Sequence, residues 1–392
     1  MLSVPHARQI AFPAAIAGFI ATLIGYASSA AIIYQAAAAA GVSADEIGGW
    51  FTALGLAMGI SSLGFSLWYR QPILTAWSTP GAAMLATSLD GVTLSQTIGV
   101  FIFTNLLIVL CGITGLFARL MKVIPQAITA AMLAGILLRF GLQAFGALPT
   151  DLLLCGIMCV SWLLARRLLP RYAIIITLLA GLLVTLARGD LHLAQPLLTL
   201  RWPSFTMPSF SLSTLLGVGL PFFLVTMASQ NAPGIATLQA HGYNAPVSPL
   251  IGWSGMIALL LSPFGGFSVC LAAITTAICM SEEVHPDRTK RWLAAACAGI
   301  FYLLAGLFGG AVGLLLTALP MALIHILAGL ALLNTLTSSI QRALHQEETR
   351  DAAMVTFLVT ASGISLAGTG APFWGLLTGM LVWLILSAHR LR

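Results

Sequence analysis

The chain is expected to be an all-α polytopic membrane protein of fourteen transmembrane segments, built as two inverted repeats of seven. Three observations predict this: composition, internal repetition, and the side of the membrane on which positive charge collects. Hydrophobic residues make up 59% of the 392 residues and charged ones only 7%, a balance that a water-soluble globule has no use for. The apolar runs continue for about 17 to 25 residues instead of alternating at every second position, so they read as spanning helices and not as barrel strands. The first run, roughly residues 12–38, is too long for the core of a cleavable leader and is expected to stay.

Repetition appears at a distance of about 195 residues. Cys111 to Leu138 is echoed by Leu304 to Leu333, with Pro125 opposite Pro320 and Leu133-Ala134-Gly135 opposite Leu327-Ala328-Gly329. Upstream, Tyr26-Ala27-Ser28-Ser29, Gly41 and Gly49-Trp50 are answered by Met227-Ala228-Ser229-Gln230, Gly242 and Gly252-Trp253. Residues 1–195 form the first repeat and 205–392 the second, joined by the polar stretch Arg188 to Ser211. Two such halves in an apolar chain point to a secondary transporter with its substrate site at the repeat interface.

Taken in order and cut at glycine, proline and charge clusters, the spans of the first repeat fall at roughly 12–36, 47–68, 72–88, 96–118, 124–144, 152–168 and 171–188. Those of the second fall at 212–238, 247–262, 263–281, 293–317, 320–340, 352–368 and 372–388. With both termini in the cytoplasm, that side receives Arg8, Arg70, Arg119, Lys122, Arg166, Arg167, Arg171, Arg288, Lys290, Arg291, Arg342, Arg350, Arg390 and Arg392. Only Arg188 and Arg201 fall outside, which satisfies the positive-inside rule. An odd number of spans per half then turns the second repeat upside down. Because the +6 net charge is spent on this asymmetry, it gives no reason to expect nucleic acid as a partner. The six cysteines lack zinc spacing and read as small packing residues.

Spans 3 and 10 are predicted to be broken. In span 3, Pro72 and an extended stretch lead to Ser78-Thr79-Pro80-Gly81, a hydroxyl N-cap followed by proline in the first turn. Only about ten helical residues remain, some 15 Å, so this helix must start near mid-membrane. In span 10, Pro263 answers Pro72, Gly265-Gly266 prevents a stable helix, and Ser268 is the expected cap of a helix over about Val269 to Ser281. Inversion aims the two half-helices at each other, and their free N–H groups make a small anion such as a carboxylate the expected occupant.

Walls for that site are expected from spans 1 and 8: Tyr26, Ser28, Ser29 and Gln35 in one, and Ser229, Gln230 and Asn231 in the other, before Pro233-Gly234. Gln230 and Asn231 are expected to contact the ligand, since neighbouring amides in hydrocarbon need partners. Trp77 and Phe267 flank the helix starts, where either packing or a sandwich around a flat ring is open. The substrate-binding set therefore also contains Trp77, Ser78, Thr79, Gly81, Gly266, Phe267, Ser268 and Val269. All eleven acidic residues fall in expected loops, which leaves no intramembrane carboxylate to carry a proton or sodium. Arg139 is expected to snorkel outward from span 5, and His325 to be structural. No metal or cofactor is expected, and no hydrolase or nucleotide-binding motif occurs, so an enzyme is not expected.

Several strings, among them LIGYASSAAIIYQAA, LTAWSTPGAA, LAGILLRFGLQAF and FLVTMASQNAPGI, resemble the benzoate/proton symporter (BenE) family, and the likeness extends over essentially the whole chain. The resemblance implies the fold of uracil- and sulfate-type anion transporters. It further implies a core domain (spans 1–4 and 8–11), a gate domain (spans 5–7 and 12–14), a homodimer formed through the gate, a bacterial inner-membrane location, and proton-coupled transport of benzoate or a similar small aromatic carboxylate. A nucleobase or other small organic anion carrier, or an anion channel of the same fold, are the alternatives. Where proton-coupled nucleobase relatives place glutamates on spans 8 and 10, this chain has Gln230, Asn231 and hydroxyl residues.

Overall fold

The computed structural model describes residues 4–116, 125–191, 200–366 and 369–390. Arg119, Lys122 and Arg392 of the charge tally lie outside the described residues, as do positions 192–199 of the inter-repeat stretch. The first repeat supplies α1 (Val4–Ala39), α2 (Ile47–Tyr69), β1 (Thr75–Ala76), α3 (Thr79–Ser88), α4 (Leu94–Thr114), α5 (Gln126–Gly146), α6 (Leu152–Leu168) and α7 (Ala173–Arg188). The second supplies α8 (Leu212–Ala240), α9 (Val247–Leu261), β2 (Cys270–Leu271), α10 (Ile274–Cys279), α11 (Trp292–Leu307), α12 (Gly309–Ala318), α13 (Met321–Leu344), α14 (Arg350–Ser362) and α15 (Ala371–Arg390). Nine of the described helical stretches are long and apolar enough to cross a membrane unaided. The eleventh span is divided between α11 and α12, and spans 3 and 10 are each a two-residue strand followed by a short helix.

Packing repeats with the sequence. α2 lies along α11 and α9 lies along α4, the same contact seen from each repeat, while α5 packs on its counterpart α13. Around the α5–α13 pair gather α6, α7, α14 and α15, and α1 and α3 cross from the other helices to touch α13 and α5. Glycines let these helices approach: a Cβ on Gly55 would lie 2.4 Å from the Gly306 Cα, closer than van der Waals contact allows.

The inversion is visible in β1 and β2. These equivalent segments pair antiparallel, Thr75 with Leu271 and Ala76 with Cys270, and the Ala272 N–H continues the ladder by donating to the Leu74 carbonyl at 3.0 Å. Pairing across the repeat axis thereby satisfies backbone groups that an unwound segment would otherwise leave bare in hydrocarbon.

Candidate functional site

On the first-repeat side, hydroxyls of α2 hold the extended chain. Ser62 Oγ accepts from the Thr75 N–H at 3.0 Å, Ser66 Oγ donates to the Ile73 carbonyl at 3.0 Å, and Ser61 Oγ lies 2.6 Å from Thr75 Oγ1. α3 then starts as the sequence predicts: Ser78 is its N-cap, with Oγ accepting from the Gly81 N–H at 3.1 Å, and Pro80 stands in the first turn. Thr226 Oγ1 of α8 donates to the same Ser78 oxygen at 3.0 Å. Gly81 is needed because a Cβ there would come within 2.3 Å of the Phe222 ring.

On the second-repeat side, the turn at Gly265 has φ +88°, and a Cβ there would strike Trp50. Amides rather than hydroxyls hold the chain that follows: Asn105 Nδ2 donates to the Phe267 carbonyl at 3.0 Å, and Asn231 Oδ1 accepts from the Leu271 N–H at 2.9 Å. α10 begins at Ile274, five residues later than the sequence suggested, and Ala273 precedes it without a side-chain cap. Ser268 therefore caps no helix. It lies ahead of β2, because pairing with Thr75 and Ala76 draws Cys270 and Leu271 into strand geometry. The true counterpart of Ser78 is Ala273, each two residues beyond its strand.

α8 is distorted where it reaches this junction. Pro233 has no N–H to offer the carbonyl four residues back, and the helix widens into a π-turn over Met227–Asn231. That turn presents Ser229 and Gln230 to a cavity of about 800 Å³ and points Asn231 the other way.

The cavity runs from the two breaks to the C-terminal end of α13. Ser28, Ser29, Trp77, Thr79, Ser229 and Gln230 of the sequence-predicted set line it. Tyr26 stands just behind, its ring meeting Trp77 edge-on at 4.7 Å, while Trp77 Nε1 donates to Ser29 Oγ at 2.7 Å. The rest of the set lies elsewhere. Ser78 and Gly81 are sealed inside the α3 cap, and Gln35 sits farther along α1. Gly266, Phe267, Ser268 and Val269 are buried on the approach to β2, Phe267 within a cluster with Trp50, Phe101 and Phe222. Phe267 is thus a packing residue rather than half of a ring sandwich. Asn231, fully buried, spends its amide on the Leu271 backbone, so the polar pair in α8 divides into one residue on the cavity and one on the scaffold.

Sequence reasoning missed Thr275, Tyr302 and Arg342, which also line the cavity. Among the described lining residues no side chain is acidic and Arg342, near the mouth on α13, is the lone arginine or lysine. The only hint of Tyr302 was its presence deep in an apolar run. Arg139 does not snorkel outward: its Nη1 donates to the Thr87 carbonyl at 3.4 Å, and it lines a second cavity of about 460 Å³ that also holds Asp90, at the far end of α3.

Comparison with known proteins matches residues 8–385 to the family model of the benzoate membrane transport protein. The chain is 59% identical over 375 residues to the inner membrane protein YdcO of Escherichia coli (strain K12), covering 96% of each. It is 37% identical over 373 residues to the benzoate membrane transport protein of Acinetobacter baylyi, covering 95% of each. Among solved structures it resembles SLC26A9 with a TM-score of 0.64 at 14% identity, covering 96% of this chain and 65% of that one. It also resembles the transmembrane domain of the cyanobacterial bicarbonate transporter BicA, with a TM-score of 0.58 at 15% identity, covering 96% and 97%. These two likenesses establish the fold: the chain has the inverted-repeat architecture of those anion transporters.

Proposed function

The chain belongs to the benzoate membrane transport protein family, and from that premise we propose that it carries benzoate or a similar small aromatic monocarboxylate across the bacterial inner membrane by alternating access. It is a multi-pass membrane transporter of anions and not an enzyme. One observation supports the substrate class above others: the junction of two broken spans opens into a cavity lined by amides, hydroxyls and aromatic rings but by no acidic side chain among the described residues. An aromatic carboxylate meets there no charge repulsion, donors for its oxygens, and apolar walls for its ring. Gln230 and Ser229 orient the carboxylate, Thr79 and Ala273 bound it from the two breaks, and Trp77 with Met58 flanks the ring.

Transport follows if the group built on α1–α4 and α8–α12 moves against the group built on α5–α7 and α13–α15, with both termini cytoplasmic and a second copy joined through the latter group. In this arrangement the cavity mouth beside Arg342 and His345 faces the cytoplasm. No acidic side chain among the described lining residues stands ready to carry a coupled proton, so the pH-gradient arm of the test decides whether transport is coupled at all. The test is uptake of labelled benzoate into proteoliposomes, with and without a pH gradient. Saturable uptake that unlabelled benzoate competes away is expected, and steepening by an acidic outside would establish coupling. Failure of benzoate to enter while a nucleobase does would replace the substrate, and large single-channel current would replace the carrier by a pore.

A further inference from the structure

Two residues that line the cavity carry hydroxyls that are themselves buried and that find no partner in the surrounding protein, lying instead beside each other: Tyr302 Oη on α11 and Thr275 Oγ1 on α10. Both side chains are buried, Tyr302 at 1% exposure and Thr275 at 7%. A third hydroxyl, Tyr26 Oη, is equally unpartnered behind them, with its ring centroid 6.2 Å from that of Tyr302. Gly25 of α1 keeps the place open, since a Cβ there would lie 3.1 Å from Tyr302 Oη and 3.7 Å from Thr275 Cγ2. Gly55 does the same for Tyr26, where a Cβ would lie 3.0 Å from the phenolic oxygen.

Buried hydroxyls left without partners destabilise a fold by about 1–3 kcal/mol each, and most other hydroxyls around the breaks are paired, Ser268 Oγ being an exception. Those of Ser29, Ser61, Ser62, Thr75, Ser78 and Thr276 all bond within the protein. Three of the unpaired ones, on α1, α10 and α11, meet beside the same stretch of cavity wall, whereas Ser268 Oγ is buried away from it. A neutral phenol and a neutral alcohol both donate through O–H, and neither repels an anion.

We propose that Tyr302 and Thr275 are carboxylate-binding residues, donating their hydroxyl protons to the two oxygens of the substrate, with Tyr26 backing Tyr302. This rests on the reading of the cavity as an aromatic monocarboxylate site. It places the anion against the second-repeat wall and turns the ring toward Trp77 and Met58. Hydrogen bonds to a charged acceptor are worth about twice those to a neutral one, so the two donors select the carboxylate over its neutral amide.

The test measures displacement of labelled benzoate from the purified protein by benzoate and by benzamide, together with thermal unfolding in detergent. In Tyr302→Phe and in Thr275→Val, benzoate affinity should fall about tenfold, benzamide affinity should change less than about twofold, and the unliganded protein should unfold at no lower temperature. Equal losses for both ligands, or unchanged benzoate affinity in both variants, would overturn the assignment and leave the hydroxyls to packing. Absence of benzoate binding by the unmodified protein strikes instead at the proposed substrate, so the two failures are told apart. If one variant fails to fold, the other decides.

Discussion

Spans 3 and 10 occupy equivalent places in the two repeats and are built by opposite means. Span 3 is held by hydroxyls: those of α2 bind its backbone, Ser78 caps the helix, and Thr226 of α8 donates to Ser78. Span 10 is held by amides, those of Asn105 and Asn231, and its helix is short and uncapped. Hydroxyls without a partner in the surrounding protein lie on the span 10 side, at Ser268, Thr275 and the adjoining Tyr302. A symmetric pair of breaks has thus become a capped half and an uncapped half, and by the proposal above a ligand completes the latter.

The contrast can be broken at its anchors. Asn231→Leu should have the largest effect, because it strands the buried Leu271 N–H without an acceptor in a low-dielectric setting. A loss of about 1–3 kcal/mol, seen as a lower unfolding temperature, and abolition of uptake are expected. Wild-type behaviour would mean that β2 does not depend on α8. Ser78→Ala should do less, costing about 1 kcal/mol as an ordinary N-cap loss, because β1 remains fastened by Ser62 and Ser66. If it proved the more damaging of the two, the contrast between the capped and uncapped halves would have to be reversed.

Much of this was legible in the sequence, and the exceptions share a cause. Proline, paired glycines and a Ser-Thr-Pro-Gly string announce where a helix cannot run and where one starts, so both breaks and the start of α3 could be read from local chemistry. The start of α10 could not. Ser268 looks like a cap by the same local rules, but a partner strand far away in the sequence, at Thr75 and Ala76, takes Cys270 and Leu271 for itself. Asn231 was misjudged for a related reason. An amide in hydrocarbon signals an unmet hydrogen bond without saying whether a ligand or an unwound backbone meets it. Tyr302 and Thr275 sit in apolar runs where only the folded arrangement reveals that their hydroxyls find no partner in the surrounding protein.

Placing a charge on the cavity wall probes the anion site most directly, and not every position allows it. Gly81 packs on Phe222 and Ser268 is buried away from the cavity, so a carboxylate at either would disturb packing as well as potential. Ala273 lines the cavity at the N-cap position of α10 and is only partly buried. An aspartate there suits the helix end while presenting its own anion to the ligand. The decisive measurement is benzoate binding to Ala273→Asp beside its unfolding temperature: binding weakened at least about tenfold with stability kept is the predicted result, and undiminished benzoate affinity would contradict the account.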